Sequence, residues 1–155
     1  LLNLMFDTAL GPPVAQNPGL PWRQALTTWA EQQLRLFLDH PWMIEYSTHT
    51  RLLGPNETAH TEAALEAAAG TGLPLERRLE IAFAVNSLAR GAAQVLVGVL
   101  SGRGPRWPEA VLDDPRFPGV SALIRSPMFA PDYPYDAGFA FGLGRFLDGI
   151  EQLIA

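Results

Sequence analysis

Glu45, His49 and His60 are the side chains in this sequence best suited to hold a divalent cation. Glu45 and His49 are four residues apart, so on one helix both point to the same side, and His60 in the next element could complete the set. Such a set would serve a small helical metal-dependent enzyme. The ordinary alternative is a Glu–His pair on a helix surface. His40, just before Pro41, is placed to bond the last carbonyls of a helix. Other chemistry is closed. There is no cysteine and no lysine, which removes thiolate and Schiff-base mechanisms. The sequence also lacks Gly-x-Ser-x-Gly, a phosphate-binding Gly-Lys-Ser/Thr loop and Gly-x-Gly-x-x-Gly. No residue is assigned a catalytic role, no cofactor is implied, and the chain is read as a non-enzyme.

A second group of residues points to binding. Trp29, Gln33 and Leu36 share one helical stripe, while Trp42, Tyr46 and His49 or Thr50 fall three to four apart on the next helix. Phe83 and Asn86 can face them from a later helix. Apolar walls with a few amide, hydroxyl or imidazole groups are the character of a pocket for a small organic molecule. The competing reading buries Gln33 and Asn86 as satisfied polar groups among aromatics that only pack.

The elements that must position these residues are all helices. Leu1 to Leu10 carries Leu1, Leu4, Met5 and Thr8 on one face and stops at Gly11-Pro12-Pro13. Trp22 to Asp39 forms the next helix, opened by Pro21 and closed at His40-Pro41, because the residue before proline is pushed out of helical geometry. A third helix is expected over Trp42 to Leu53 and a fourth over Pro55 to Ala69. Pro74 to Ser101 is the longest. One of its stripes runs Leu75, Leu79, Phe83, Asn86, Arg90, Ala93, Val97 and Leu100; the other runs Ile81, Val85, Leu88, Ala92, Val95 and Val99. A surface helix of a monomer needs one apolar face, so the second stripe is expected to meet a partner subunit. Residues 102–116 hold too many glycines and prolines for a long element, beyond one turn at Glu109 to Leu112; a mobile loop is expected. A short helix is expected over Phe117 to Ser126. Asp136 to Ile154 is the last helix, with Asp136 as N-cap and Phe139, Leu143, Phe146, Ile150 and Leu153 as its apolar stripe. Gly138, Gly142 and Gly149 on another face suggest close helix packing, since each glycine costs about 1 kcal/mol of helix propensity.

Composition agrees with a single all-α domain. Hydrophobic residues make up 48% and charged residues 17%, as in a globular protein. A net charge of -5 argues against this segment gripping nucleic acid through phosphates. All eleven basic residues are arginine, which points to a GC-rich bacterial genome. No signal sequence and no uninterrupted apolar run of about 18 residues is present, so no membrane partner is expected and the cytoplasm is the default compartment. The sequence begins Leu-Leu-Asn-Leu, without an initial methionine and inside an amphipathic segment, so a preceding segment is expected.

Several boundary signals, in order, resemble the C-terminal half of TetR-family transcriptional regulators. They are Pro21-Trp22, Asp39-His40-Pro41-Trp42, Leu53-Gly54-Pro55, Thr71-Gly72-Leu73-Pro74 and Arg90-Gly91. The most specific is Phe139-Ala140-Phe141-Gly142-Leu143 followed by Leu147-Asp148-Gly149-Ile150-Glu151. The resemblance implies an all-α ligand-binding domain that homodimerises by a four-helix bundle of its long central helix and its last helix. It places residues 1–10 at the end of an interdomain connecting helix and residues 21–155 in the effector-binding and dimerisation domain. Leu88, Ala92, Val95 and Val99, with Phe139, Leu143, Phe146 and Ile150, would form the interface. Trp29 and Gln33 would face an unidentified small-molecule effector. Trp29 stands where tetracycline-binding members use a polar side chain, so tetracycline and its magnesium are not implied. Operator DNA would be bound only by an N-terminal helix-turn-helix outside this sequence, to which Leu1 to Leu10 would transmit the effector's signal.

Overall fold

A computed structural model describes residues 1–15, 17, 19–47, 52–104 and 106–155. Among them are seven α-helices and no strand: α1 (Leu2–Leu10), α2 (Trp22–Asp39), α3 (Trp42–Tyr46), α4 (Pro55–Ala67), α5 (Leu75–Leu100), α6 (Pro118–Ile124) and α7 (Ala137–Ile154).

α5 is the axis of the body. Ile81, Ala82, Val85, Ala89, Ala93 and Leu96 form its buried stripe, and α2, α4 and α7 pack around it. Spacings of three and four keep those residues on one side. By length and composition α5 is also apolar enough to cross a bilayer. Its packing against three neighbours and the Asn86 and Arg90 side chains in its middle make it a core helix instead, since an arginine at a bilayer centre costs about 3 kcal/mol. The two expected stripes divide differently from the sequence reading. Ile81 and Val85 lie in the chain's own core, Leu88 and Ala92 are half-buried against it, and Val95 and Val99 are 64% and 56% exposed. The helix ends where Gly102, with φ of 68°, takes the left-handed conformation. Gly102 N–H then donates to Val99 O at 3.0 Å and Arg103 N–H to Gly98 O at 2.9 Å, which satisfies carbonyls of the last turn.

α2 buries Ala25, Leu26, Trp29, Ala30, Gln33, Leu34 and Phe37 against α5 and α4. α4 contributes Ala63, Ala64 and Ala67, small side chains that let the helix axes approach closely. α7 buries Phe139, Leu143, Leu147 and Ile150. Arg23 of α2 clips α7 from outside by pairing with Asp148, and with Glu151 at 3.3 Å. These groups are partly solvated, so the pair orients α7 and adds roughly 0–1 kcal/mol at most. Asp136 precedes α7 as expected, but its side chain makes no capping hydrogen bond. Residues 106–135 pack chiefly on themselves. Arg125 pairs with Asp113 at 2.9 Å, Ser121 Oγ donates to Leu112 O, and Trp107 meets Phe129 edge-on at 5.7 Å.

Two helices depart from the expectation. α3 stops at Tyr46, well short of Leu53. Ser47 caps it: its N–H donates to Met43 O at 2.9 Å and its Oγ to Ile44 O at 2.8 Å. α1 turns its other face inward. Leu1, Leu4 and Met5 are exposed, whereas Phe6 and Asp7 are buried. Phe6 packs edge-on against Trp42 at 6.1 Å, and Trp42 against Tyr46 at 6.0 Å, so an aromatic ladder seats α1 on α3.

Candidate functional site

A cavity of about 260 Å³ lies between α2, α4 and α5, with α1 and α3 closing its ends. α5 supplies Leu79, Ala82, Phe83, Asn86 and Arg90. α2 supplies Trp29, Gln33, Leu36 and Phe37, and α4 supplies Glu57, His60, Thr61 and Ala64. Of the residues expected to face a ligand, Trp29, Gln33, Leu36, Phe83 and Asn86 therefore come together on one wall system. Trp42 and Tyr46 do not line the cavity; they hold α1 in the aromatic ladder. His49 and Thr50 lie outside the described residues.

The polar groups of α4 are wired to α1. Gly54 is the N-cap of α4 and has no side chain to offer the helix's free N–H groups. Asp7 of α1 supplies one instead: its Oδ1 accepts from Glu57 N–H at 3.0 Å. Asn56 Nδ2 donates to Asp7 O at 2.8 Å, and Glu57 Oε2 accepts from Gly54 N–H at 3.2 Å. The result is a capping box whose two halves come from different helices. A Cβ on Gly54 would collide with the Asp7 carboxyl, so the glycine is required by this close approach.

His60 makes the second connection. Gln33 Nε2 donates to its Nδ1 at 3.2 Å, and its Nε2–H donates to Gly11 O, also at 3.2 Å. One imidazole thus joins the cavity wall of α2 to the end of α1. Both ring nitrogens are engaged, and Gln33 is only 5% exposed. Glu45 is exposed on α3 and does not line the cavity, so this arrangement lends nothing to a shared metal site with His60.

Burial holds the His60 pKa below its ordinary value of 6.5. Desolvation outweighs the Gly11 and Leu10 carbonyls and the Asp7 and Glu57 carboxylates, which favour the charged ring. The linkage follows directly. Above pH 6.5 the ring is neutral in both states and contributes no slope. As the pH falls below 6.5 the unfolded chain takes the proton first, so stability drops until folded His60 also titrates. The drop attributable to His60 is expected to reach at most about 1.4 kcal/mol per pH unit. Urea unfolding between pH 7.5 and 5 checks it: the wild type should lose stability more steeply than His60→Gln, and equal slopes would remove His60 as the cause.

A larger groove of about 790 Å³ lies between α5, α7 and residues 128–135. Its walls are mainly apolar, with Val95, Val99, Met128, Phe129 and Tyr135 among the exposed contributors. The residues expected at an interface split here. Phe139, Leu143 and Ile150 sit in the chain's own core, and Phe146 is half-buried against it, so of this α7 stripe only Phe146 keeps surface for a partner. The open face of α7 is instead the one bearing Gly138, Phe141, Gly142 and Arg145, with Phe141 71% exposed. Added Cβ atoms at Gly91, Gly138, Gly142 and Gly149 would meet nothing within 4 Å, so packing inside the described chain does not demand these glycines.

The sequence reading assigns no site role to Asp7, Gly54 or Arg90, and it considers His60 only as a metal ligand. The one available signal was Gly54-Pro55-Asn56-Glu57, a helix start with glutamate at the third position and no capping side chain at Gly54.

Comparison with known proteins agrees with this architecture. Residues 14–154 match the family model described as tetracyclin repressor-like, C-terminal domain. The chain is 30% identical, over 172 aligned positions, to the HTH-type transcriptional repressor DrrR1 of Streptomyces coeruleorubidus, covering 100% of this chain and 62% of that protein. An HTH-type transcriptional regulator of Saccharopolyspora erythraea is 30% identical over 95 residues, covering 59% of this chain and 39% of the relative. The chain therefore spans less than two thirds of the length of either relative. With the family model covering nearly all of it, this chain belongs to the tetracyclin repressor-like C-terminal domain family.

Proposed function

We propose that this chain is the ligand-sensing and homodimerisation domain of a bacterial TetR-family transcriptional regulator, acting on DNA through a helix-turn-helix head joined to α1. The observation that carries the reading is the double fastening of α1 to the cavity wall, through Asp7 to the start of α4 and through His60 to Gly11 O. A guest that shifts α4 or the Gln33–His60 pair must strain or release those bonds. A small organic molecule that favours one α1 position over another then biases the head by its differential affinity, typically 1–3 kcal/mol for such coupling. The second copy covers Val95 and Val99 of α5, with the half-buried Leu88 and Ala92, and Phe141 and the open glycines of α7, to build a four-helix bundle.

A neutral aromatic probe tests the cavity. N-phenyl-1-naphthylamine should bind the wild type with a fluorescence rise, and Asn86→Trp, which fills the cavity, should weaken binding about tenfold or more while the scattering mass stays that of a dimer. Binding that Asn86→Trp leaves unchanged would place the probe elsewhere and contradict the reading.

A further inference from the structure

Arg90 is a half-buried guanidinium on the cavity wall, and its side chain makes one hydrogen bond, to Ser47 Oγ at 3.2 Å. All sixteen acidic residues of the chain lie among the described residues, and none forms an ion pair with Arg90. Glu57, the one carboxylate on the same wall, is directed to Gly54 N–H at the start of α4. Asn86 stands one turn before Arg90 on the same stripe, and its amide makes no hydrogen bond among the described residues. The remaining walls include aromatic rings from Trp29, Phe37 and Phe83 among aliphatic side chains such as Leu36, Met43 and Leu79.

We propose that the cavity takes an aromatic acid, a flat apolar body carrying one anionic oxygen group, with that group held by Arg90 and Asn86. The proposal rests on the ligand-sensing reading of the same cavity. Guanidinium presents N–H donors in a planar fork that matches a carboxylate or sulfonate, and a charge-assisted bond is strongest where water is partly excluded. The aromatic walls accept the flat body, and the amide adds a donor without adding charge. A neutral guest would leave the cation unanswered, and a cationic guest would be repelled by it.

Two probes that share one ring framework separate the claims. Anilinonaphthalene-8-sulfonate carries the anion; N-phenyl-1-naphthylamine lacks it. The wild type should bind the sulfonate about tenfold more tightly, the scale of one hydrogen bond to a charged group. Arg90→Met should lower sulfonate affinity about tenfold more than it lowers that of the neutral probe, and Asn86→Leu should erode the preference in the same direction by a smaller factor. Equal wild-type affinities, or a preference that survives Arg90→Met and Asn86→Leu, would overturn the aromatic-acid assignment while leaving the cavity reading standing. Failure of both probes to bind the wild type would overturn both.

Discussion

Gly54→Ala is expected to destabilise the fold by about 1–3 kcal/mol, the range for forcing extra atoms into a packed site. The backbone is not the reason: Gly54 has φ of -81° and ψ of 175°, which any residue adopts. The cost arises because the new methyl group meets the Asp7 carboxyl, which must then leave Glu57 N–H. Asp7→Ala should cost about 2 kcal/mol, since it removes a cap and leaves a buried donor unpaired. Adding Gly54→Ala to Asp7→Ala should then cost little more than alanine's poor capping, so the cycle is strongly non-additive. The sharper variant is Asp7→Ala with Gly54→Ser. A serine at the N-cap can bond Glu57 N–H from its own chain position, restoring most of the lost stability without any bond from α1. Urea unfolding of the wild type and these four variants decides the matter; additive single costs would show that Asp7 and Gly54 are not coupled.

Val95→Glu combined with Phe141→Glu should turn a dimer into a folded monomer. Both positions are exposed in the single chain, so the substitutions leave its core untouched. In a two-fold interface each change appears twice, and an unpaired charge at an apolar contact is costly. Dissociation should strengthen by about 100-fold or more, seen by light scattering as a halved mass with an unchanged helical spectrum. Leu143→Glu makes the contrast. Leu143 is buried against the chain's own core, so that variant should unfold rather than dissociate. A wild type that scatters as one copy at micromolar concentration would overturn the dimer.

Helix positions were legible because their signals act locally. Pro21, Pro41, Pro55 and Pro74 each mark a boundary within one or two residues, since a proline restricts its own φ and its neighbour wherever it stands. The cavity wall was half legible. Trp29, Gln33, Phe83 and Asn86 follow from helical spacing, which says who shares a side. Spacing does not say which side meets what. Phe139 and Phe141 are two apart on one helix, and only packing decides that the first is internal and the second open. Likewise, Asp7 interrupts an apolar segment, and nothing beside it in sequence tells that the fold buries it against a helix start some fifty residues away. Partnerships of that range leave no periodic trace. The Ser47 hydroxyl likewise meets the Arg90 side chain, a partner 43 residues away that no window of neighbours contains.

Amide hydrogen exchange with and without saturating N-phenyl-1-naphthylamine tests most directly whether α1 feels the cavity. In the wild type, occupancy should change protection both along the α4 and α5 walls and at Met5 to Leu10 of α1. In Asp7→Ala/Gly54→Ser the walls should still respond while α1 responds much less. An α1 that ignores the probe in the wild type would contradict the coupling on which the sensing role depends, and an equal response in both proteins would contradict the Asp7 fastening.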